Sequence, residues 1–312
     1  MNSPARIPAG IELTKVRVEK LQARRFEEAR VSVSVLRTDL LHPVVSGNKW
    51  FKLRYYIEKL QQGSYTGLIT MGGPFSNHIV ATAAAGALYQ FPTIGLIRGE
   101  QPATLSPSLK EAVHWGMQTY FVSREQYRDT DYCRAWAMEH FPNALFVEEG
   151  GRGKEGIAGA ATMAQCCDFS SYTHILCAVG TGTMMSGLLQ ETGLHQEVCG
   201  IPVLKIPDLE ASALQTYILE RDHKGKATLL GNFHEGGYAR FSSALLQHMN
   251  SWYTEFGIPS DFVYTGKLFL AFEKLIQQKA FPPGASILLI HSGGLQGNRS
   301  LPDHSLCFNS SC

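Results

Sequence analysis

The stretch Ser46-Gly47-Asn48-Lys49-Trp50-Phe51-Lys52-Leu53, residues 46–53, opens the first long helix-like segment of the chain. Lys49 stands there in a neutral, largely apolar neighbourhood, and Lys52 follows on the same expected helical face. An amine removed from water loses basicity, and its neutral form can attack a carbonyl carbon. The alternative is a surface lysine whose stem covers apolar groups while its ammonium stays in water. The stretch therefore predicts either an amine nucleophile, with Lys52 as a counter-charge for phosphate, or an ordinary surface lysine.

Gly180-Thr181-Gly182-Thr183 is the second segment with a chemical signal. It follows an apolar strand and precedes the helical stretch Met184–Thr192. Glycine lets successive backbone N–H groups point at one anion, and the helix N-terminus adds a partial positive charge. The segment lacks the lysine of a P-loop and the full Gly-x-Gly-x-x-Gly spacing of a dinucleotide fold. It therefore predicts a site for a single phosphate group.

Strand-like and helix-like runs alternate along most of the chain, which predicts doubly wound parallel sheets with helices on both faces. A separate strand is expected within Arg30–Leu36, before the first repeat. The other expected strands are Gly67–Thr70, Thr93–Ile97, Thr119–Val122, Leu145–Glu148, His174–Val179, Val198–Val203, Thr228–Asn232 and Ser286–His291. The expected helices include Trp50–Gln61, Asn77–Tyr89, Arg124–His140, Thr183–Thr192 and Lys267–Gln278.

Glycine-containing loops follow three of these strands, at residues 70–78, 178–183 and 291–294. Ligands of open α/β sheets bind at the carboxyl ends of the strands. The alternative for each loop is an ordinary strand-to-helix turn, because glycine is a common turn residue. Taken together, the three loops predict the rim of one binding site.

Composition argues against several classes of function. The 312 residues carry a formal net charge of +1, and no run of lysine and arginine exceeds two residues, so nucleic acid is not an expected partner. The longest apolar runs are strand-sized, so no membrane span is expected, and the N-terminus has no apolar stretch of signal-peptide length. The seven cysteines show no zinc spacing and favour reduced thiols in a cytoplasmic enzyme, with no metal.

Three motifs, met in this order, resemble the fold-type II pyridoxal-phosphate enzymes. They are Ser-Gly-Asn-Lys-x-x-Lys-Leu at 46–53, Ser-Asn-His at 76–78, and the Gly-Thr-Gly-Thr loop at 180–183. The closer resemblance is to the 1-aminocyclopropane-1-carboxylate deaminase/D-cysteine desulfhydrase family, and it runs from Arg37 to Gly294. It implies a tryptophan synthase β-like α/β fold, pyridoxal 5′-phosphate as cofactor, a small amino-acid substrate and a possible homodimer.

The resemblance assigns roles to cofactor-binding positions. Lys49 matches the lysine that forms the Schiff base, and Lys52 matches a nearby phosphate contact. Asn77 matches the residue that hydrogen-bonds the phenolic oxygen of the cofactor. Gly180, Thr181, Gly182 and Thr183 match the phosphate loop.

The resemblance also assigns catalytic positions. Ser76 matches a hydroxyl that acts on the substrate, and Tyr238 and Tyr264 match two tyrosines that face it. From the residues alone, each tyrosine is equally well a packed core aromatic. Lys49 is expected to remove the Cα proton once the substrate amine has displaced it.

Thr265 discriminates within the family. The deaminases that open the cyclopropane ring have an acidic residue at this position, set against the pyridine nitrogen, whereas D-cysteine desulfhydrases have threonine. A carboxylate keeps that nitrogen protonated and strengthens the ring as an electron sink. Because opening a carbon–carbon bond demands more of that sink than losing an α-proton and a thiolate, Thr265 favours α,β-elimination.

Two segments depart from the family pattern. His78-Ile79-Val80 stands where Gln or His, Thr and Arg are more usual. Arg152 and Lys154 place charges in the loop 150–156, which is mostly small and neutral in the family. Both lie where the substrate is expected, although the loop charges are also those of a solvated segment.

The sequence thus predicts a large cofactor domain, residues 1–50 plus 161–312, with a small domain, residues 51–160, inserted in it. The expected activity is that of a D-cysteine desulfhydrase, which produces pyruvate, ammonia and sulfide. The alternatives are 1-aminocyclopropane-1-carboxylate deaminase, another fold-type II reaction such as a dehydratase or racemase, and a non-catalytic α/β binding protein.

Overall fold

Short aliphatic and β-branched runs form the strands of two sheets in the computed structural model, which describes residues 10–206, 208–219 and 223–308. The N-terminal residues 1–9, on which the expectation about a signal peptide rests, lie outside the described residues. The strands are β1 Val18–Leu21, β2 Ser32–Arg37, β3 Gly67–Gly72, β4 Thr93–Arg98, β5 Gln118–Val122, β6 Ala144–Val147, β7 His174–Val179, β8 Glu197–Pro202, β9 Lys226–Leu229 and β10 Ser286–His291.

Helices connect most of the strands. They are α1 Arg24–Glu28, α2 Asn48–Gln61, α3 Asn77–Tyr89, α4 Pro107–His114, α5 Arg124–Arg128, α6 Thr130–His140, α7 Lys154–Ala161, α8 Thr183–Gln190, α9 Asp208–Leu219, α10 Ser243–Phe256 and α11 Thr265–Gln277. The helix expected over Arg124–His140 is interrupted at Asp129, whose backbone is extended (φ −87°, ψ 98°) and whose carboxylate accepts a hydrogen bond from Tyr132 N at 3.0 Å. Asp129 therefore caps a new helix, α6, instead of continuing α5.

The larger sheet has the order β1-β2-β10-β7-β8-β9, and only β1 runs antiparallel to its neighbour. The smaller sheet has the order β5-β4-β3-β6 and is wholly parallel. This arrangement confirms the α/β fold expected from the alternating pattern. The expected strand Thr228–Asn232 is displaced, since β9 begins at Lys226 and ends at Leu229.

Alternate residues of the central strands pack against helices on opposite faces of the larger sheet. On β7, Ile175 and Cys177 contribute to a core with α2 and α8, whereas Leu176 contributes to a second core with α10 and α11. Successive side chains of a strand point to opposite faces of the sheet. Because both faces are buried at β7, its residues form a continuous apolar run. All three side chains are fully buried.

All four strands of the smaller sheet lie within the segment that the sequence assigns to a small domain. Helix α2 packs against α7, and α7 packs against α8, which covers one face of the larger sheet. Helix α7 therefore connects the smaller-sheet segment to the helices of the larger sheet. The division into residues 51–160 and the remainder stays a prediction. No helix within the described residues is both long enough and apolar enough to cross a membrane.

Candidate active site

A cavity of about 420 Å³ lies where the carboxyl ends of strands from both sheets converge. The smaller sheet contributes Ser76 after β3, Arg98 at the end of β4 and Glu149 after β6. The larger sheet contributes the Gly180 loop after β7 and Leu204 after β8. Parallel strands collect their carboxyl ends at one edge, which is why residues distant in sequence meet here.

The position of Lys49 is fixed by Gly47 at the start of α2. Gly47 has a φ of +55°, and a Cβ added to it would lie 2.2 Å from the Ser292 carbonyl oxygen. Gly47 N donates to Thr38 O at 3.1 Å, and Asn48 N donates to Ser292 O at 3.2 Å. Only glycine permits both this backbone conformation and this close approach. The loops after β2 and β10 therefore hold the start of α2.

The Lys49 ammonium is buried in the cavity wall. Lys49 is only 6% exposed, and its Nζ donates a hydrogen bond to Asn48 Oδ1 at 2.6 Å. Nζ also lies 5.4 Å from the centroid of the Tyr264 ring. Burial lowers the pKa of Lys49 to about 8, although the charge of Asp261 opposes the shift. Roughly a tenth of Lys49 is therefore neutral at pH 7, far more than for a lysine with the usual pKa, and the neutral form is the one that acts as nucleophile or base.

Lys52 and His78 are two further basic residues that line the same cavity. Burial lowers the pKa of Lys52 well below its usual value, and the neighbouring Lys49 charge adds to the effect. Burial likewise lowers the pKa of His78, with contributions from Lys52 and Lys49. His78 Nε2 lies 2.9 Å from Thr70 Oγ1, whereas its Nδ1 has no hydrogen-bond partner among the described residues. Buried basic groups without carboxylate partners suit an anionic ligand.

The Gly180–Thr183 loop forms a cradle at the start of α8. Gly182 caps α8 with a φ of +85° and no side-chain hydrogen bond. A helix start without such a cap leaves backbone N–H groups available to an anion. Thr181 Oγ1 lies 3.0 Å from Thr183 Oγ1, but Thr183 itself is fully buried and does not line the cavity.

Ser76 and Asn77 begin α3 on the other side of the cavity. Ser76 Oγ accepts from Ile79 N at 3.4 Å and so caps the helix. Asn77 Nδ2 donates to Gly294 O at 3.4 Å, while its Oδ1 is buried without a hydrogen-bond partner among the described residues. The third glycine loop therefore supports Asn77 from behind, instead of lining the cavity with the other two.

Tyr238 and Tyr264 both line the cavity, with ring centroids 6.3 Å apart and an interplanar angle of 73°. Burial raises the pKa of Tyr238 to about 12 and raises that of Tyr264 further above its usual value. Both hydroxyls are therefore protonated at neutral pH and can act as hydrogen-bond donors.

Thr265 is placed differently from the other expected site residues. It is fully buried and does not line the cavity. Its Oγ1 donates to Asp261 Oδ1 at 2.7 Å and accepts from Asp261 N at 2.8 Å. The Asp261 carboxylate also accepts from the backbone N–H groups of Val263 and Tyr264 at the start of α11. The contact of Thr265 with a pyridine nitrogen remains a prediction.

The structure brings together most of the residues singled out from the sequence. The expected residues that line the cavity are Lys49, Lys52, Ser76, Asn77, Gly180, Thr181, Gly182, Tyr238 and Tyr264. Sequence reasoning missed Arg98, Glu149 and the buried Asp261. Arg98 and Glu149 each follow an expected strand directly, so the carboxyl-end rule could have found them. Asp261 has no comparable sequence signal.

These surroundings fit pyridoxal phosphate. The buried Lys49 amine suits the carbonyl carbon of the cofactor, and the unpartnered Asn77 Oδ1 suits a ring hydroxyl. The uncapped start of α8, with Lys52 nearby in the same cavity, suits a phosphate. Two mainly parallel sheets that share such a cavity define the fold-type II class of pyridoxal-phosphate proteins.

The chain belongs to the pyridoxal-phosphate dependent enzyme family, whose model matches residues 13–293. It is 28% identical over 94% of its length to a Thermotoga maritima protein provisionally named a 1-aminocyclopropane-1-carboxylate deaminase, 97% of which is covered. It is 26% identical over 84% of its length to the bifunctional D-cysteine desulfhydrase/1-aminocyclopropane-1-carboxylate deaminase of Arabidopsis thaliana, 72% of which is covered. It is a pyridoxal-phosphate-dependent enzyme, which removes the non-catalytic binding protein from the alternatives.

Solved structures show the same fold. A crystal structure described as an ACC deaminase homologue superimposes with a TM-score of 0.76 at 23% identity, with 94% of each chain covered. A fungal L-serine ammonia-lyase from Rhizomucor miehei gives a TM-score of 0.65 at 12% identity, with 90% of this chain and 93% of that chain covered. These likenesses confirm the fold-type II architecture expected from the three motifs.

Proposed function

We propose that this enzyme catalyses α,β-elimination from a D-cysteine-like amino acid, releasing pyruvate, ammonia and sulfide. The observation that carries the proposal is the buried Lys49 amine, whose pKa of about 8 suits it to accept a proton near neutral pH. Pyridoxal phosphate, when bound to the substrate amine through its carbonyl carbon, withdraws electrons from Cα. The residues of this chain must then position the substrate and move its α-proton.

In the proposed arrangement, Lys49 would hold the cofactor through its side-chain amine and would give way to the amine of the substrate. Asn77 would bind the phenolic oxygen, and the segment Gly180–Thr183 would bind the phosphate with Lys52. The convergence of Lys49, Asn77 and Lys52 on one cavity supports these roles. The burial of all three side chains keeps water from competing for the cofactor.

Once displaced, Lys49 would take the proton from Cα. Tyr264 is a candidate to help, since its ring centroid lies 5.4 Å from Lys49 Nζ and its hydroxyl stays protonated. Ser76 and the backbone N–H groups at the start of α3 would orient the substrate carboxylate, because a helix N-terminus attracts an anion. Tyr238 would complete the wall against the side chain of the substrate.

Elimination is preferred over ring opening because of the surroundings of Thr265. Its hydroxyl is already hydrogen-bonded to Asp261, and the only carboxylate among the described residues that line the cavity belongs to Glu149. A pyridine nitrogen without a carboxylate in contact is a weaker electron acceptor, which is sufficient for loss of an α-proton and a thiolate.

The second candidate is 1-aminocyclopropane-1-carboxylate deaminase. Both activities stand in the name of the Arabidopsis thaliana relative. The cavity also retains Ser76, Tyr238 and Tyr264, the hydroxyl-bearing residues that the resemblance assigns to substrate chemistry in the deaminases.

A product assay with the purified holoenzyme separates the two candidates. D-cysteine, L-cysteine, 1-aminocyclopropane-1-carboxylate and both enantiomers of serine and threonine are supplied in turn, and 2-oxo acids are identified by mass spectrometry. We expect pyruvate and sulfide from D-cysteine. Formation of 2-oxobutyrate from the cyclopropane substrate, without pyruvate from either cysteine, would replace the first candidate by the second.

A further inference from the structure

A second cavity of about 390 Å³ adjoins the active-site cavity. The two share the lining residues Arg98, Glu149, Gly180, Thr181 and Leu204. The second cavity extends from this common boundary towards Arg128 and Arg152. It is larger than the thiol of cysteine requires, so it has room for an additional group on the side chain of the substrate.

Arg98 lies at the boundary of the two cavities, and its guanidinium lacks hydrogen-bond partners within the described part of the chain. It forms neither a hydrogen bond nor an ion pair with any residue that the structure describes, and it lies over the Tyr127 ring at 5.4 Å from the centroid. Gly73 lies beside the guanidinium, since a Cβ added to Gly73 would lie 3.2 Å from Arg98 Nη2. Five N–H donors of a guanidinium are thus free to meet a ligand at the junction of the two cavities.

The other charged groups around the second cavity favour an anion. Arg128 and Arg152 also line it, and the Arg152 guanidinium stacks on the Tyr217 ring at 3.9 Å. Glu148 is neutralised by an ion pair with Arg134 at 2.7 Å. Burial raises the pKa of the Glu149 carboxyl, and the nearby Arg98 charge offsets this only in part. Among the described residues, positive charge therefore prevails around this cavity.

The substrate carboxylate does not account for Arg98. The start of α3, with Ser76 as its cap, already offers backbone N–H groups to that carboxylate beside Lys49. Arg98 lies instead on the side of the site that opens into the second cavity. A side-chain substituent that leaves Cβ in this direction would meet the free guanidinium.

We infer that the enzyme acts on β-substituted alanines whose leaving group carries a negative charge, and that Arg98 binds this charge. The inference rests on the proposed elimination. The α-proton leaves Cα, and the bond between Cβ and the leaving group breaks with its electron pair on the leaving group. The enamine released then reacts with water to give pyruvate and ammonium. Arg98 selects the substrate and holds the departing anion.

The test compares anionic and neutral substrates in holoenzyme variants. S-sulfo-D-cysteine and O-phospho-D-serine are the anionic probes, D-cysteine is the neutral probe, and pyruvate is measured for both enantiomeric series. Loss of a charge-assisted hydrogen bond costs roughly tenfold to hundredfold in affinity. We expect Arg98→Gln to lower kcat/KM for the anionic probes at least tenfold more than for D-cysteine, chiefly through KM, and Arg98→Lys to restore part of the loss.

Two further variants separate recognition of charge from a structural effect. Glu149→Gln removes the competing carboxylate at the boundary and should shift the same ratio in the opposite direction. Arg124→Gln alters an exposed arginine outside both cavities and should leave the ratio unchanged. Equal losses for both probes in Arg98→Gln would overturn the inference while leaving elimination intact. Absence of pyruvate from every wild-type reaction would instead overturn the proposed function itself.

Discussion

The two sides of the active-site cavity are built in contrasting ways. The cofactor floor, which we define as residues 46–49, 180–183 and 292–294, is mostly buried, and a backbone hydrogen bond joins residues 46–49 to residues 292–294. The substrate rim, defined as Arg98 and residues 148–152, carries charges that extend towards a second cavity. At Gly47 in the floor, one added methyl group would collide with the Ser292 backbone, whereas at the rim the Arg98 guanidinium has no hydrogen-bond or ion-pair partner among the described residues.

This difference suggests that the floor determines cofactor binding and that the rim determines the choice of substrate. The floor presents one buried amine and, at α8, a helix start without a side-chain cap, an arrangement that suits a particular cofactor and tolerates little change. The rim presents the Arg98 guanidinium without an ion-pair partner among the described residues, and we propose that the substrate supplies its complement. Variants of the floor should therefore weaken cofactor binding or destabilise the fold, whereas variants of the rim should change the choice of substrate.

The largest effect is expected from Lys49→Ala, which removes the proposed amine from the floor. Loss of a group that acts as base typically costs about 10²–10⁴-fold in rate, and loss of the covalent attachment adds to that cost. We expect at least a thousandfold fall in kcat for D-cysteine and loss of the visible absorption of the lysine-bound cofactor. Lys59→Ala, at a half-exposed lysine of the same helix that pairs with Glu155 outside the cavity, is the control and should retain both. Covalent cofactor in Lys49→Ala would disprove the assignment.

A smaller but substantial effect is expected from Gly47→Ala. The new Cβ would lie 2.2 Å from the Ser292 carbonyl oxygen at a φ of +55°, so the backbone must move. We expect a loss of about 3 kcal/mol in the free energy of unfolding, together with weaker cofactor binding. Urea denaturation and cofactor content measure the two effects.

Gly63→Ala is the matched control for Gly47→Ala. Gly63 also has a positive φ, +81°, but an added Cβ would meet no atom within 4 Å. It should cost about 1 kcal/mol, which is the conformational contribution alone. Equal losses in the two variants would show that the contact between residues 46–49 and residues 292–294 does not stabilise the floor.

The floor was predictable from the sequence to a degree that the rim was not. Lys49 and the loop at 180–183 belong to local motifs, as does Asn77 beside the floor, and each motif can be recognised within a few residues. The strands also follow from local apolar runs, so most lie within two residues of their expected bounds.

The remainder depends on contacts between segments that no local pattern encodes. The position of Arg98 next to Glu149 arises because β4 and β6 both flank β3. Asp261 caps the start of α11 and occupies the hydroxyl of Thr265, a contact visible only in three dimensions. The wrong prediction of one continuous helix over residues 124–140 has a local cause. Asp129 caps a new helix, although the helical pattern continues on both sides of it.

Lys52→Met, at a buried lysine beside the floor, should change protein stability and cofactor binding in opposite directions. Because burial lowers the pKa of Lys52, the unfolded chain binds a proton at neutral pH that the folded chain disfavours. The stability cost grows as pH falls below the usual lysine pKa, so it is present at pH 7 and disappears with methionine. We expect a higher midpoint of thermal unfolding for the apo-enzyme, but about tenfold to hundredfold weaker binding of pyridoxal phosphate. A change of both quantities in the same direction would contradict the phosphate role.

The smallest expected effect is a shift in the pH dependence of cofactor attachment. Burial lowers the pKa of Lys49 to about 8 from 10.5, so its reactive neutral form increases as pH rises towards that value. The rate at which apo-enzyme attaches pyridoxal phosphate should rise about tenfold between pH 7 and pH 9 and then level off. An unshifted lysine would still gain reactivity beyond pH 10. Stopped-flow absorbance gives this rate, and a simple alkylamine under the same conditions corrects for titration of the cofactor.

Arg98→Gln, a change at the rim, should leave the midpoint of this pH dependence where it is, because the pKa of Lys49 is set by burial within the floor and by Asp261. A midpoint that moves with Arg98 would mean that floor and rim share one electrostatic environment, and the separation between them would fail.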